Sequence, residues 1–415
     1  MRPPRIGILV LVCLAVATGC RRQEPDALPV WAAAPNPYVP LPGSGNAYDE
    51  YAVAAQKVEA TAGKHLERVS FYPEQRKKAR EACAEALREI SAATRKPCQV
   101  QFAARPPFTP APFQRGWRLI GRCFRWQAEE QAAAGEFDAA IETALTATRF
   151  GFDLTGGGAT DASLGYAIVD DARLALLPHL PKMGAGQLGR LSAGLEEAVK
   201  RKPALGSVVE NERQNGRLAI QALQDAAAKG NFEPFLTNLG PSVKDGIEKL
   251  DEARGKGAEE LKAYFEGFAR DAEEMDSRMA RYAALPYAEV AREEEARKEA
   301  EKKKPRRRAW GRFAKHFLGT AQPVLEMDAR TLARTRLLAL TASMLQRQKL
   351  KQPFPGGLDR LPPGLSTDPF TGRALGYDVT AVEFRLYSLG ADGRDDDGDT
   401  DDAFLAPDLT LEQKL

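Results

Sequence analysis

Histidine is nearly missing from this chain: its 415 residues include only His65, His179 and His316, each isolated in sequence. No HExxH, CxxC or GxSxG string occurs, which excludes the local signatures of zinc peptidases, dithiol redox centres and nucleophile elbows. An excess of charge of one sign is also lacking. The net charge of +2 with 28% charged residues gives no broad basic surface, so nucleic acid is not expected as a partner. Gly156-Gly157-Gly158 has no Lys-Ser/Thr after it, so it is no P-loop and reads as a flexible turn between helices. Asp170-Asp171 and Glu129-Glu130 are adjacent on helices, where neighbours do not share a face, so they make poor acid/base pairs.

What is present begins at the N-terminus. Arg2 and Arg5 precede an apolar run from Ile6 to Ala17, too short to cross a bilayer that needs about 20 apolar residues. Ala17-Thr18-Gly19-Cys20 is similar to a bacterial lipobox. That resemblance implies cleavage of residues 1–19 as a lipoprotein signal peptide and lipidation of Cys20, making the membrane a partner. Arg21 after Cys20 implies, by the same resemblance, sorting to the periplasmic face of the outer membrane. Residues 20–46 are a proline-rich tether. Export and lipidation leave Cys83, Cys98 and Cys123. A Cys83–Cys98 bridge is disfavoured if residues 74–93 form one helix, since three residues cannot turn the chain back over about 12 helical ones. Cys123 with either of the others is the better pairing, alongside an inert buried thiol.

Residues 47–284 carry helical periodicity throughout, with Ala79, Cys83, Leu87 and Ile90, and later Trp117, Ile120 and Phe124, at helical spacing. Breaks fall at proline and glycine, predicting a body of antiparallel hairpins. Phe124 to Ala147, with Ala128, the run Gly135 to Ile141, Ala144 and Ala147, resembles a tetratricopeptide (TPR) repeat. No second copy follows at its period, so a single helical hairpin is expected rather than a solenoid. Residues 285–315 are a charged helix and basic linker. Glu293 to Glu295 meet Lys298, Glu299 and Lys302 at ion-pair spacing, and the cluster Lys302 to Arg308 offers contact to an anionic polymer or an envelope protein.

Residues 316–415 begin with a helix over 329–350, apolar at Leu332, Leu337, Leu340 and Met344, and continue with short strands near Leu375–Tyr377 and Val382–Leu389. Thr367-Asp368-Pro369-Phe370-Thr371-Gly372, Leu375, Tyr377 and the run from Phe384 through Tyr387-Ser388-Leu389-Gly390-Ala391-Asp392-Gly393 to Asp402 resemble the C-terminal part of the type II secretion major pseudopilin, the GspG-like module. The resemblance implies a small α+β unit whose loop holds calcium through the carbonyl of Leu389 and the carboxylates of Asp392, Asp401 and Asp402, with Asp399 as a further candidate. The spacing fails the EF-hand pattern, because Gly393 precedes Asp395 and Phe404 stands where the closing glutamate belongs. A pilin's N-terminal apolar helix is replaced here by a lipobox, so the module is borrowed. The fold class expected is mainly α, an irregular multi-helix body with a small C-terminal α+β module. The body is similar to helical exported bacterial proteins. The functional expectation is an envelope lipoprotein acting as a structural or interaction protein and not as an enzyme. Its alternatives are a TPR-like adaptor that binds a partner peptide and an envelope hydrolase assembled from distant helices.

Overall fold

The computed structural model describes residues 39–66, 71–100, 113–233, 236, 244–302, 321–361, 363–380, 383–395 and 409–410. The expected lipidation site, Cys20, lies outside them. The described chain is mainly helical with a small antiparallel sheet, as the periodicity predicts. None of the described helices is long and apolar enough to cross a membrane.

The first helices are α1 (Ala47–Leu66), α2 (Pro73–Ala93), α3 (Gln114–Ala133), α4 (Phe137–Leu154), α5 (Ala159–Leu176) and α6 (Ala185–Arg201). Helix α2 starts with Pro73, whose fixed φ suits the first turn, and the Gln75 side chain accepts the Tyr72 N–H at 3.2 Å. It buries Ala79, Cys83, Ala86, Leu87, Ile90 and Ala93 along one face. Helices α3 and α4 form the expected hairpin, turned by Gly135 at φ +79°, a conformation that glycine adopts without a side-chain clash. Ala128, Ala132, Ala140 and Ala144 are buried along this hairpin, and Thr143 donates to Gln131 Oε1 at 2.8 Å across it.

Helix α4 is buried on almost every side, and α5 lies closest to it. The approach is set by Gly151 and Gly165. A methyl group on Gly165 would lie 2.3 Å from the Gly151 carbonyl oxygen, and one on Gly151 would lie 2.6 Å from that of Gly165. The same device recurs where α3 passes α1, with Gly116 against the Ala55 backbone, and where α3 passes α5, with Gly121 against Ile168.

The turn at 156–158 departs from expectation. It is buried rather than loose, because α7 (Leu205–Lys229) reaches over it. Asn211 donates to the Gly156 carbonyl at 2.7 Å, and Glu212 accepts the Ala159 N–H, also at 2.7 Å, at the start of α5. Such a partner is invisible to local reading.

Helices α8 (Lys244–Lys256) and α9 (Ala258–Tyr282) pack with α7 around Ile220, Leu223, Leu250, Phe265 and Phe268, a cluster separate from the main core. Helix α10 (Tyr287–Lys302) is the charged one. Lys302 pairs with Glu299 at the expected three-residue spacing, and Arg297, outside the expected set, holds both Glu294 and Glu301 at 2.5 Å. Glu294 is buried and accepts the Tyr282 hydroxyl at 3.0 Å, so this helix is docked rather than merely solvated.

Helix α11 (Ala321–Lys349) returns to the body and packs on α5 and α6. Leu337, Leu340 and Met344 are buried as expected and Leu332 is half-buried; Leu338, Ala339 and Leu345 are buried too, since the helix packs on α5, α6 and the sheet at once. The sheet has the order β1 (Gly376–Val379), β2 (Phe384–Ser388), β3 (Leu409–Thr410), all antiparallel, with Gly376 opposite Tyr387 and Val379 opposite Phe384. The first two strands fall close to the expected positions, and β3 is an addition to them.

The described cysteines are free thiols: Cys83 and Cys123 are buried and Cys98 is half-buried. The expected bridge to Cys123 is therefore absent as a bond.

The glycine contact yields a test. Gly165→Ala is expected to cost about 1–3 kcal/mol through overpacking, since backbone rather than a flexible side chain must give way. Gly186→Ala, at an exposed α6 position with open space around it, should stay within about 0.5 kcal/mol of the parent. Thermal denaturation of both variants checks this, and equal melting temperatures would contradict it.

Candidate functional site

Helices α2, α3 and α4 line a groove of about 670 Å³. Its α2 side carries Lys77, Arg80, Arg88 and Arg95, its α3 side Phe124 and Gln127, and its α4 side Glu142, Thr143 and Thr146, with Leu87 adding apolar surface. Lys77, Arg80 and Arg88 follow helical spacing on α2 on the side away from its buried stripe, and Arg95 stands in the turn just beyond the helix. Four cations thus face two carboxylates, Glu81 and Glu142. Lys77, Arg88 and Arg95 form no ion pair with any described carboxylate. Arg80 pairs with Glu130, while its Nε is buried without a hydrogen-bond partner. The groove therefore offers net positive potential over an aromatic and aliphatic lining, which suits an acidic segment that also carries apolar side chains.

A second hollow, of about 320 Å³, lies where the start of α7, α10, α11 and the C-terminal segment meet. Asp328 Oδ1 there accepts the Tyr166 hydroxyl at 2.6 Å and pairs with Lys202 Nζ at 2.7 Å. Burial and the Asp328 charge together push the Tyr166 hydroxyl far above its ordinary range. Arg336 donates to the Thr367 carbonyl at 2.6 Å. Asp328 and Asp368 both reach this hollow from distant segments, with Asp328 Oδ1 shared by Tyr166 and Lys202 and both oxygens of Asp368 accepting hydrogen bonds.

Asp368 shows this most clearly. It is fully buried, and its carboxylate accepts the N–H of Phe370 at 3.0 Å, the hydroxyl of Ser388 at 2.8 Å and the N–H of Leu389 at 2.9 Å. The Thr371 hydroxyl adds a longer contact at 3.3 Å. One side chain thus ties the 367–372 turn to the end of β2. A buried carboxylate with several donors is stable without a counter-ion in contact.

Of the expected calcium ligands, Leu389 is buried at the end of β2 and Asp392 stands in the turn beyond it, accepting the Arg394 N–H at 3.0 Å. Gly390 and Gly393, both at φ +67°, shape that turn, and Arg373 donates to the Gly393 carbonyl at 3.0 Å. Asp399, Asp401 and Asp402 lie outside the described residues. Among the described residues no cluster of three histidine, cysteine, aspartate or glutamate side chains forms. Calcium takes six to eight oxygens, so Leu389 and Asp392 do not by themselves complete a shell. The basic cluster 303–308 likewise lies outside the described residues, as does His316. His65 and His179 sit in different surroundings, one beside Phe71 and the other beside Phe137.

Two carboxyls are pushed up to about 6, Asp153 and Asp276, in both cases chiefly by burial. Asp153 is 3% exposed and accepts the Tyr51 hydroxyl at 2.7 Å, which together with Arg201 and Arg149 partly offsets the burial. It lies inside the helical body rather than in either hollow.

No family model, no curated protein and no solved structure matches this chain. Its chemistry is therefore read from its own residues. The groove is the part that sequence reading missed. The signal was present in the basic positions 77, 80, 88 and 95, but their inward-facing counterparts on α3 and α4 come from tertiary packing.

Asp153 makes a pH prediction with a definite sign. Its folded pKa of about 6 exceeds the unfolded value of about 3.9, so the unfolded chain loses this proton first as pH rises. Its contribution to stability therefore falls between about pH 4 and pH 6 and stays low above that. Asp153→Asn keeps an acceptor for Tyr51 and removes the buried charge. It should be more stable than the parent at pH 8 by about 2 kcal/mol and equal to it near pH 4. Denaturant titrations at the two pH values measure this, and a gap independent of pH would contradict it.

Proposed function

We propose that this chain is an envelope lipoprotein, tethered through lipid on Cys20 at the periplasmic face of the outer membrane, that works as an interaction protein rather than an enzyme. The groove of α2 to α4 is its docking site, and the occupant is an acidic segment of a partner protein with interspersed apolar residues. The observation that carries this reading is the groove's lining: Lys77, Arg80 and Arg88 of α2 and Arg95 just after it against two carboxylates, beside Leu87 and Phe124. The α3–α4 hairpin serves here as a single TPR-like unit, with α2 supplying the facing wall that a repeat array would take from its neighbour.

A fluorescent peptide of alternating leucine and glutamate is the probe, read by anisotropy against the full chain. Binding should weaken with salt, and Arg88→Glu combined with Arg95→Glu, both at exposed positions, should weaken it by about tenfold or more. Equal affinity of parent and variant would overturn the reading. Equal binding of inorganic polyphosphate would do so as well, since it would indicate a general polyanion surface.

We further propose that the C-terminal segment is a pseudopilin-like module stabilised by calcium, with the Leu389 carbonyl and Asp392, Asp399, Asp401 and Asp402 as ligands. Support comes from Asp368, which fixes Leu389 and the start of the turn containing Asp392. Calcium at millimolar concentration should raise the melting temperature of the parent, and Asp392→Ala with Asp401→Ala should abolish the rise. A parent with no calcium-dependent shift would refute the metal site and leave the groove untouched.

A further inference from the structure

Two of the thiols have a relation that neither the groove nor the C-terminal module uses. Cys83 faces inward from α2 between Ala79 and Leu87, and Cys123 faces it from α3 between Ile120 and Phe124, both with no exposed surface. The two are hydrogen-bonded to each other. That bond holds Cys83 below the ordinary thiol range, while the same bond and burial push Cys123 up. Cys98 stands elsewhere, near Asp153 and Asp49, where burial and the Asp153 charge push its thiol well up and disfavour the reactive thiolate.

We infer that Cys83 and Cys123 are a latent disulfide site, a redox staple that joins α2 to α3. The inward positions of the two cysteines on neighbouring helices, both wholly buried and in mutual contact, choose this pairing over either one with Cys98. The oxidant is a small disulfide such as oxidised glutathione, or an equivalent thiol oxidoreductase of an exported compartment. The Cys83 thiolate attacks one sulfur of the oxidant, forming a mixed disulfide and releasing one glutathione thiol. The Cys123 thiolate then attacks the Cys83 sulfur of that mixed disulfide and releases the second. The protein pair loses two electrons and two protons, and the oxidant gains both. Since neither thiol is exposed, the exchange takes place while the chain folds or when α2 lifts from α3. The bond would close the loop of chain between Cys83 and Cys123 and would hold the α2 wall against the α3 floor.

The test uses the full chain carrying Cys20→Ala, refolded across a range of reduced to oxidised glutathione ratios. It is then quenched in acid, alkylated under denaturing conditions and mapped by mass spectrometry without reduction. The expected result is a single Cys83–Cys123 cross-link, with Cys98 recovered alkylated. The oxidised form should melt about 5 °C or more above the reduced form, and dithiothreitol should reverse the difference. Cys83→Ala with Cys123→Ala should show no redox-dependent change in melting. Recovery of both Cys83 and Cys123 as alkylated thiols at every ratio, in protein whose circular dichroism is helical, would overturn the proposal, as would a cross-link through Cys98. The mapping of the parent decides the matter even if the double variant does not fold. Neither result bears on whether the groove binds an acidic peptide.

Discussion

Backbone contact at Gly151 and Gly165 is the constraint on which the rest of the helical body depends. With each residue's hypothetical methyl inside the other's carbonyl, α4 and α5 can lie this close only because both positions are bare. The closeness brings α4 into the centre, where it is covered by α3, α5 and α6 together. Helix α3 then repeats the device twice, against α1 at Gly116 and against α5 at Gly121. Close-packed helices with small residues at the crossings leave little slack, so the position of α2, and with it the shape of the groove, is inherited from contacts two layers away.

Much of the architecture was legible in the chain. Helix α2, the α3–α4 hairpin and the apolar side of α11 were readable because each buries a stripe whose spacing survives in sequence. Features made by residues far apart were not. Gly156 to Gly158 looked like a loose connection, and only the reach of Asn211 and Glu212 from α7 makes it a buried turn. Extra burial on α11 at Leu338 and Leu345 comes from helices remote in sequence, with Leu338 sharing a small hollow with Leu145, Val169 and Leu191. For the candidate groove, the α2 cations were visible as residues but not as a lining, since their partners across the hollow belong to α3 and α4.

The C-terminal segment shows how a run of acidic residues can mislead as well as inform. Attention falls naturally on the aspartates after Gly393, yet the carboxylate that organises the described part is Asp368, some way upstream and fully buried. It is held by backbone N–H groups and hydroxyls, and its donors come both from the 367–372 turn and from the end of β2. Removing one stretch would strand the donors or the acceptor of the other, so neither stretch is structurally complete alone.

The α7–α9 cluster adds a different consequence. Ile220, Leu223, Leu250, Phe265 and Phe268 gather around their own centre and do not merge with the main core. A chain with more than one apolar centre need not lose them together. Amide hydrogen exchange is the natural way to see this, because it reports opening free energies residue by residue and sorts them into cooperative units. A single midpoint fitted to an unfolding curve of this protein would average a compact body with a smaller satellite, and the value obtained would belong to neither.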